Sequence, residues 1–338
     1  MIKKPLFSRT TKRLKAFVKR RPHHSFRRTR RRDYARSLKL PGYFVFTNYV
    51  FKTIWAHRKT FACLTLLYIV LTLIMVGIAS QDIYSALMGA LNSTGGDFFS
   101  SGFGEIGKAS LLFVTAATGG ISQNLTEAQQ IYAGFITLLT WMISIWLLRN
   151  ILAGHKVKMR DGLYNAGSPI VSTFIVALVF IIQLLPLALA LIGYSAATAT
   201  GLLTGGVEAM LFWVAAGLLG LLSIYWVTST FIALVIVTLP GMYPFKALKV
   251  AGDLVIGRRL RIMLRLFWML AVTAVSWAIV MIPIIMLDSW VKTIWVAVEW
   301  IPTIPILLLI LGSITIIWVS SYVYLLYRKV VADDADPA

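Results

Sequence analysis

The chain has 338 residues, of which 58% are hydrophobic and 14% are charged, and its formal net charge at pH 7 is +20. This composition excludes an ordinary soluble protein, because about a quarter of the residues in soluble domains are charged. We expect an integral membrane protein with its positive charge concentrated near the start, since 19 of the 33 Lys and Arg residues precede residue 60.

The first 39 residues form a strongly basic segment, with 16 Lys and Arg residues against a single acid, Asp33. It has too little apolar surface to fold by itself, so we expect residues 1–39 to be a disordered cytoplasmic tail. Juxtamembrane cations each contribute about 1 kcal/mol of attraction to an anionic leaflet. The cations predicted to contact anionic lipid or another polyanion are Lys12, Arg13, Arg20, Arg21, Arg27, Arg28, Arg30, Arg31 and Arg32.

Residues 40–59 are rich in aromatic side chains interleaved with a few cations. Phe44, Phe51 and Trp55 recur at helical spacing, which predicts an amphipathic helix lying in the headgroup region with these three side chains as interfacial anchors. This helix would lead directly into the first membrane span.

Six apolar blocks follow, each long enough to cross a bilayer. A helix needs about 20 residues to cross a hydrocarbon core of about 30 Å, and a helix satisfies its own backbone hydrogen bonds there. We predict an all-α integral membrane domain over residues 60–329 and a short acidic cytoplasmic tail over residues 330–338. The predicted spans cover approximately residues 60–79, 130–153, 170–194, 208–239, 262–287 and 302–327.

The distribution of positive charge predicts the orientation of these spans. With both termini in the cytoplasm, the inner segments hold 31 Lys and Arg residues, and only Lys108 and Lys292 face outward. Cations on short loops are retained on the cytoplasmic side during insertion. We therefore expect a multi-pass protein of a bacterial-type cytoplasmic membrane. The single cysteine, Cys63, excludes an intrachain disulfide.

The longest connection between spans, residues 80–129, contains an apolar run that is too short to cross. A crossing there would move every later basic loop to the outer side, against the positive-inside rule. The pattern favours a re-entrant or half-helical outer segment over residues 106–121.

The spans carry no ionisable residue near their centres, unlike most pumps and proton relays. The most polar central residue is Gln183, one turn before Pro186, whose ring removes a backbone hydrogen bond. This pair is either a kinked, cavity-lining site or an interhelical hydrogen bond beside a tolerated kink. Because carboxylate pairs and His or Cys clusters at metal spacing are also missing, we expect no metal, no cofactor and no enzymatic activity.

Residues 244–256, between the fourth and fifth spans, have the pattern of a short amphipathic cytoplasmic helix. Pro244 suits the first helical position, where its missing N–H leaves no bond unmade. One face of this helix combines the residues that follow at helical spacing, Phe245, Leu248, Gly252 and Val255.

The letters PFKALK, continuing to LVIGR at residue 258, resemble the P-x-x-A-L … L-x-x-G-R segment of a loosely defined bacterial family. That family comprises six-span membrane domains, including the membrane part of some glycerophosphodiesterases. The resemblance covers spans three to six. It implies a helical membrane domain and brings no catalytic residue.

The same loop resembles, more weakly, the coupling loop of ABC importer permeases. The residues that match are Ala247, Gly252, Ile262 and Leu264. The glutamate, the second alanine and the proline of that loop are replaced by Lys246, Leu248 and Arg265. The resemblance implies docking to a separate ATPase subunit.

We predict a non-enzymatic membrane protein of scaffold, assembly or accessory type, whose basic tail engages the anionic inner leaflet. One alternative is a permease subunit that uses residues 244–256 as its coupling element and binds another membrane or ATPase subunit. A second alternative is a tail that tethers nucleic acid or a ribosome, because cations also bind phosphates by counterion release. The scarcity of aromatic residues in the tail favours lipid over nucleic acid.

Overall fold

A computed structural model describes residues 40–77, 126–201, 203, 205–295 and 303–335. Over these residues the chain forms helices joined by turns, without a β-strand, so the prediction of an all-helical fold is confirmed. The helices are α1 (Tyr43–Ala56), α2 (Arg58–Met75), α3 (Glu127–Leu152), α4 (Met159–Ala166), α5 (Ile170–Ala199), α6 (Gly206–Ile236), α7 (Pro244–Val255), α8 (Arg259–Ile294) and α9 (Thr303–Ala335).

Six helices, α2, α3, α5, α6, α8 and α9, are long and apolar enough to cross a membrane, which confirms the six predicted blocks as helices. The most apolar segment lies in α5 and has a mean hydropathy of 2.9, yet only 11% of it is buried within the protein. Its outward side chains include Ile182, which is 60% exposed. A surface this apolar is compatible with hydrocarbon and not with water, so the chain is a multi-pass membrane protein.

Local signals in the sequence account for several helix ends. At the start of α3, the backbone N–H of Thr126 donates to Gln129 Oε1 at 2.9 Å, and the N–H of Gln129 donates to Thr126 Oγ1 at 3.4 Å. This capping box satisfies two N–H groups that a helix start leaves unpaired. After α7, Gly257 has a φ of +78°, a value that glycine adopts without strain, and the chain turns there into α8.

The structure differs from the sequence prediction in several helices and helix bounds. A break at His57 separates α1 from α2, so the first span begins at Arg58. The short helix α4 was not predicted; it packs on α3, where Gly162 lies against Leu147 closely enough that an added Cβ would be 3.2 Å from it. The last helix, α9, continues to Ala335 and includes most of the predicted tail 330–338.

The main buried core lies at one end of the bundle, where α1 and α7 pack against the ends of the spans. It combines the last turns of α3 and α6, the first turns of α8 and the second half of α9; fully buried members are Val50, Leu147, Ile236, Val255, Ile262, Tyr322 and Leu326. The connections 153–158 and 237–258, which carry basic residues, therefore lie at the same end as α1.

Candidate membrane-surface site at the first helix

Helix α1 has one face against the protein and one face away from it. Phe46 and Val50 are buried, and the Phe46 ring meets the Tyr322 ring of α9 edge to face with centroids 4.8 Å apart. The predicted anchors lie on the other face: Phe44 is 77% exposed and Trp55 is 59% exposed. An exposed aromatic face on a helix held against a membrane bundle is typical of a helix at the headgroup level.

The aromatic side chains on the outer face of α1 also contact one another. The rings of Phe51 and Trp55 are stacked, with centroids 5.9 Å apart and an interplanar angle of 16°. The guanidinium carbon of Arg58 lies 5.6 Å from the centroid of the Trp55 ring, within the range of a cation–π interaction. Two of the three predicted anchors, Phe51 and Trp55, are therefore in contact, and Arg58 adds a cation at the end of this pair.

The start of α1 is attached to α8 through Trp268. The Trp268 indole N–H donates to Thr47 Oγ1 at 3.0 Å. The Trp268 ring also meets the Phe44 ring edge to face, with centroids 4.8 Å apart. Because one side chain provides both a hydrogen bond and an aromatic contact, α1 is held in position by side chains rather than by its connection to α2 alone.

Arg265, one turn before Trp268, completes the attachment. Its side chain is buried, at 6% exposure, and its guanidinium carbon lies 4.1 Å from the centroid of the Tyr43 ring. The Arg265 Nη2–H donates to the backbone carbonyl of Pro41. Stacking on an aromatic ring compensates part of the lost hydration of a buried guanidinium. The chain is thus fixed at the point where the basic tail joins it.

The sequence analysis did not assign Arg265 or Trp268 to this site. The available signal was their i, i+3 spacing at the start of the fifth span, which places both on one helix face. The predicted polyanion contacts, from Lys12 to Arg32, lie outside the described residues. The predicted outer segment 106–121 and residues 336–338 also lie outside them.

Two other arginines of the same end contact the protein rather than its surroundings. Arg258 is buried, and its Nη1–H donates to the carbonyl of Val330 at 3.3 Å. The guanidinium carbon of Arg259 lies 3.6 Å from the centroid of the Tyr225 ring of α6. In the sequence these two cations served only to predict the orientation of the spans. In the structure Arg258 joins the start of α8 to α9, and Arg259 joins it to α6.

The predicted amphipathic helix is present as α7, and it packs on α6 and α5. The bundle buries Ala247, Ala251 and Val255, small residues that let α7 approach its neighbours closely. Of the predicted face, Leu248 and Gly252 are half-buried, and Phe245 is 76% exposed. The outward side of α7 therefore begins with an aromatic residue.

The Gln183 amide makes an interhelical hydrogen bond: Thr230 Oγ1–H donates to Gln183 Oε1 at 2.5 Å. One turn later, directly after Pro186, the backbone N–H of Leu187 donates to the Ser223 hydroxyl oxygen at 3.1 Å. Both bonds join α5 to α6. They match the structural alternative of the sequence analysis, in which a polar residue holds two helices together beside a tolerated proline.

Within the described ranges, no group of three or more His, Cys, Asp or Glu side chains is placed to hold a metal ion. In comparisons with known proteins, no family model, no curated protein and no solved structure matches this chain.

Proposed function

We propose that this protein is a non-enzymatic scaffold or accessory protein of a bacterial-type cytoplasmic membrane, which presents its basic N-terminal tail to the anionic inner leaflet. The observation that carries the proposal is the position of α1. Its start is attached to α8 by Arg265 and Trp268, while its free face exposes Phe44, Phe51 and Trp55. A tail that begins at the headgroup level lies within reach of lipid charge, because that attraction falls off within a Debye length, about 8 Å at physiological salt.

The grouping of basic connections supports the proposed orientation, with six spans and both termini in the cytoplasm. The connections 153–158 and 237–258 and helix α1 share one end of the bundle. The end of α2 also lies next to the start of α3, since a Cβ added at Gly77 would be 4.0 Å from the Gln129 side chain. Both relationships are expected if the basic segments face the same compartment.

The lipid contact is tested on the full-length protein in vesicles. The Cys63→Ser, Ser25→Cys variant carries one thiol in the tail, which is labelled with a polarity-sensitive dye. The vesicles contain phosphatidylcholine alone or mixed equally with phosphatidylglycerol, with nitroxide-labelled lipid as quencher. We expect quenching in the anionic vesicles only. Replacing Arg30, Arg31 and Arg32 by Gln is expected to shift the bound-to-free ratio of the tail roughly 100-fold toward the free state, at about 1 kcal/mol per cation.

The matched control replaces the same three arginines by Lys, which keeps the charge and should keep the quenching. Equal quenching in neutral and anionic vesicles would refute the proposal. Displacement of the tail from anionic vesicles by a single-stranded RNA at constant ionic strength would instead support the nucleic-acid tether.

The orientation is tested by thiol labelling in intact cells, again in the Cys63→Ser background. Glu208 and Lys246 are both exposed and lie on opposite sides in the proposed topology. A membrane-impermeant maleimide should label Glu208→Cys in intact cells, and Lys246→Cys only after the membrane is opened. Labelling of Lys246→Cys from outside would overturn the topology together with the role of the tail.

A permease subunit is the second candidate, favoured by the outward side of α7. Phe245, Lys246 and Lys249 are exposed there and could contact an ATPase. Purification under mild conditions should then recover a nucleotide-binding subunit, and Phe245→Ala should release it. A preparation without such a subunit would count against this candidate.

A further inference from the structure

A cavity lies at the same end of the bundle as α1, between three parts of the chain. Its volume is about 450 Å³, and its walls come from the last turns of α3, the α4–α5 connection and the α6–α7 connection. This volume is within the range of small-molecule sites, about 300 to 1,000 Å³. Neither the exposed face of α1 nor the α5–α6 hydrogen bonds include any of these walls, so the cavity is separate from the site described above.

Four of the polar side chains that line the cavity make no hydrogen bond or ion pair within the described residues. Among the described residues, no hydrogen-bond or ion-pair partner is found for the Arg149 guanidinium, the Trp146 indole N–H or the hydroxyls of Ser168 and Ser172. By contrast, the Thr238 hydroxyl on the same wall donates to the carbonyl of Val235 at 2.7 Å. Two donor groups from α3 thus remain available to a ligand, together with the hydroxyls of Ser168 in the α4–α5 connection and Ser172 in the first turn of α5.

The charge of the cavity has one sign. Arg149 is the single charged residue among those that line it, and no Asp or Glu contributes to the walls within the described part of the chain. A half-buried guanidinium without a carboxylate favours an anion, because charge-assisted hydrogen bonds are roughly twice as strong as neutral ones. The first turn of α5, which contributes Ser172 to this wall, adds a smaller attraction of the same sign.

The arrangement of the donors indicates which kind of anion fits. Four donors on two separate walls suit a group with several acceptor oxygens, such as phosphate, better than a planar carboxylate with two. The walls also include the apolar side chains of Met142, Val237, Leu239 and Met242, which would accommodate a carbon chain beside the charged group. We propose that this cavity binds a phosphate ester, with Arg149 as the charged contact and Trp146, Ser168 and Ser172 as neutral donors.

Two sources of a phosphate ester are available at a cytoplasmic membrane surface, a phospholipid headgroup and a soluble organic phosphate. Native mass spectrometry of the full-length protein in micelles distinguishes them. The probes are palmitoyl-oleoyl phosphatidylglycerol, glycerol 3-phosphate and, as the phosphate-free control, glycerol. We expect a specific adduct with at least one phosphate probe and none with glycerol. An adduct with the lipid alone assigns the site to headgroups, and an adduct with glycerol 3-phosphate assigns it to soluble esters.

Variants separate this cavity from phosphate binding elsewhere, including the basic tail. Arg149→Gln should weaken the adduct roughly 10- to 100-fold, the usual effect of removing a charged hydrogen bond. The matched control is Arg160→Gln, which removes the same charge from an exposed position of α4 outside the cavity and should bind like the unmodified protein.

A second variant keeps the test decisive if Arg149→Gln does not fold. Trp146→Phe preserves most of the aromatic packing and removes only the indole N–H, so the adduct should weaken roughly 3- to 10-fold. The proposal is overturned if neither phosphate probe binds better than glycerol. It is equally overturned if Arg149→Gln binds the probe as strongly as Arg160→Gln. If only Trp146→Phe folds, the same comparison is made with that variant.

Discussion

The guanidinium carbon of Arg265 lies 4.1 Å above the centroid of the Tyr43 ring, and this contact joins a helix from the second half of the chain to the first residue of α1. The same guanidinium donates to the carbonyl of Pro41, two residues before α1 begins. One buried cation of α8 thus helps to hold the start of α1 in place.

Replacing Arg265 by Gln is expected to destabilise the attachment of α1 by about 2–3 kcal/mol, since it removes a cation–π contact and a charged hydrogen bond. Arg265→Lys should lose less stability than Arg265→Gln, because an ammonium keeps the charge although it lacks the planar stacking surface. The measurements are the melting temperature and tryptic cleavage after Lys52. Lys249→Ala, at an exposed position of α7, is the control. Cleavage at Lys52 that is no faster in Arg265→Gln than in Lys249→Ala would contradict the attachment.

The hydrogen bond from Trp268 to Thr47 can be isolated by a double-mutant cycle. Trp268→Phe keeps the ring contacts and removes the donor, and Thr47→Val removes the acceptor. We expect each change to lower the free energy of unfolding by about 1 kcal/mol, with a coupling energy of about 0.5–1.5 kcal/mol. Strictly additive effects of the two changes would show that the bond does not contribute to stability.

The Thr230–Gln183 hydrogen bond is expected to stabilise the packing of α5 against α6 and to have no other role. Hydrogen bonds between membrane helices contribute about 0.6 kcal/mol on average and at most about 1.7 kcal/mol. Gln183→Leu should therefore lower the free energy of unfolding by an amount in that range. Adding Thr230→Val should lower the free energy of unfolding little further, because in Gln183→Leu the Thr230 hydroxyl keeps only its bond to the carbonyl of Trp226 at 3.3 Å. A loss far above this range would point to a larger polar network around Gln183.

At the opposite end of α8, Lys292 Nζ lies 2.9 Å from Asp288 Oδ2, and both side chains are largely buried. The Thr303 hydroxyl donates to Asp288 Oδ1, which joins α8 to the start of α9. Asp288→Asn should destabilise the protein by about 1–3 kcal/mol, since it leaves the buried ammonium without its counter-charge. Combining Asp288→Asn with Lys292→Gln should lower the melting temperature less than Asp288→Asn alone. A double variant less stable than Asp288→Asn would be evidence against this account.

Much of the fold was predictable because its signals are local. The six spans follow from apolar length, and α7 follows from Pro244 and the helical spacing after it. The break at His57 and helix α4 were not predicted. Helix α4 has one local signal at its start, where the N–H of Lys158 donates to Asp161 Oδ2 at 3.1 Å. Its docking involves a contact that no local pattern predicts, the close packing of Gly162 on Leu147.

The candidate site was predictable only in part, because only its local signals are visible in the sequence. Phe44, Phe51 and Trp55 were identified by their spacing, which depends on α1 alone. Arg265 and Trp268 were not, because their partners Tyr43 and Thr47 lie in a distant part of the chain. The cavity around Arg149 combines the last turns of α3 with two connections, and the sequence contains no motif for it.

The sequence by itself determined that this is a helical membrane protein, with six helices of spanning length in its described part, and that its cations are distributed asymmetrically. Hydropathy and charge are summed over neighbouring residues and need no tertiary contact. Only the tertiary structure decided which cations are buried and which donors remain unpaired. Arg258 and Arg265 are buried on protein partners, whereas Arg149 faces an open cavity, although all three read alike as inner-side charges. The physical reason is that desolvation and pairing depend on what surrounds a side chain in space, and sequence neighbours do not specify those surroundings.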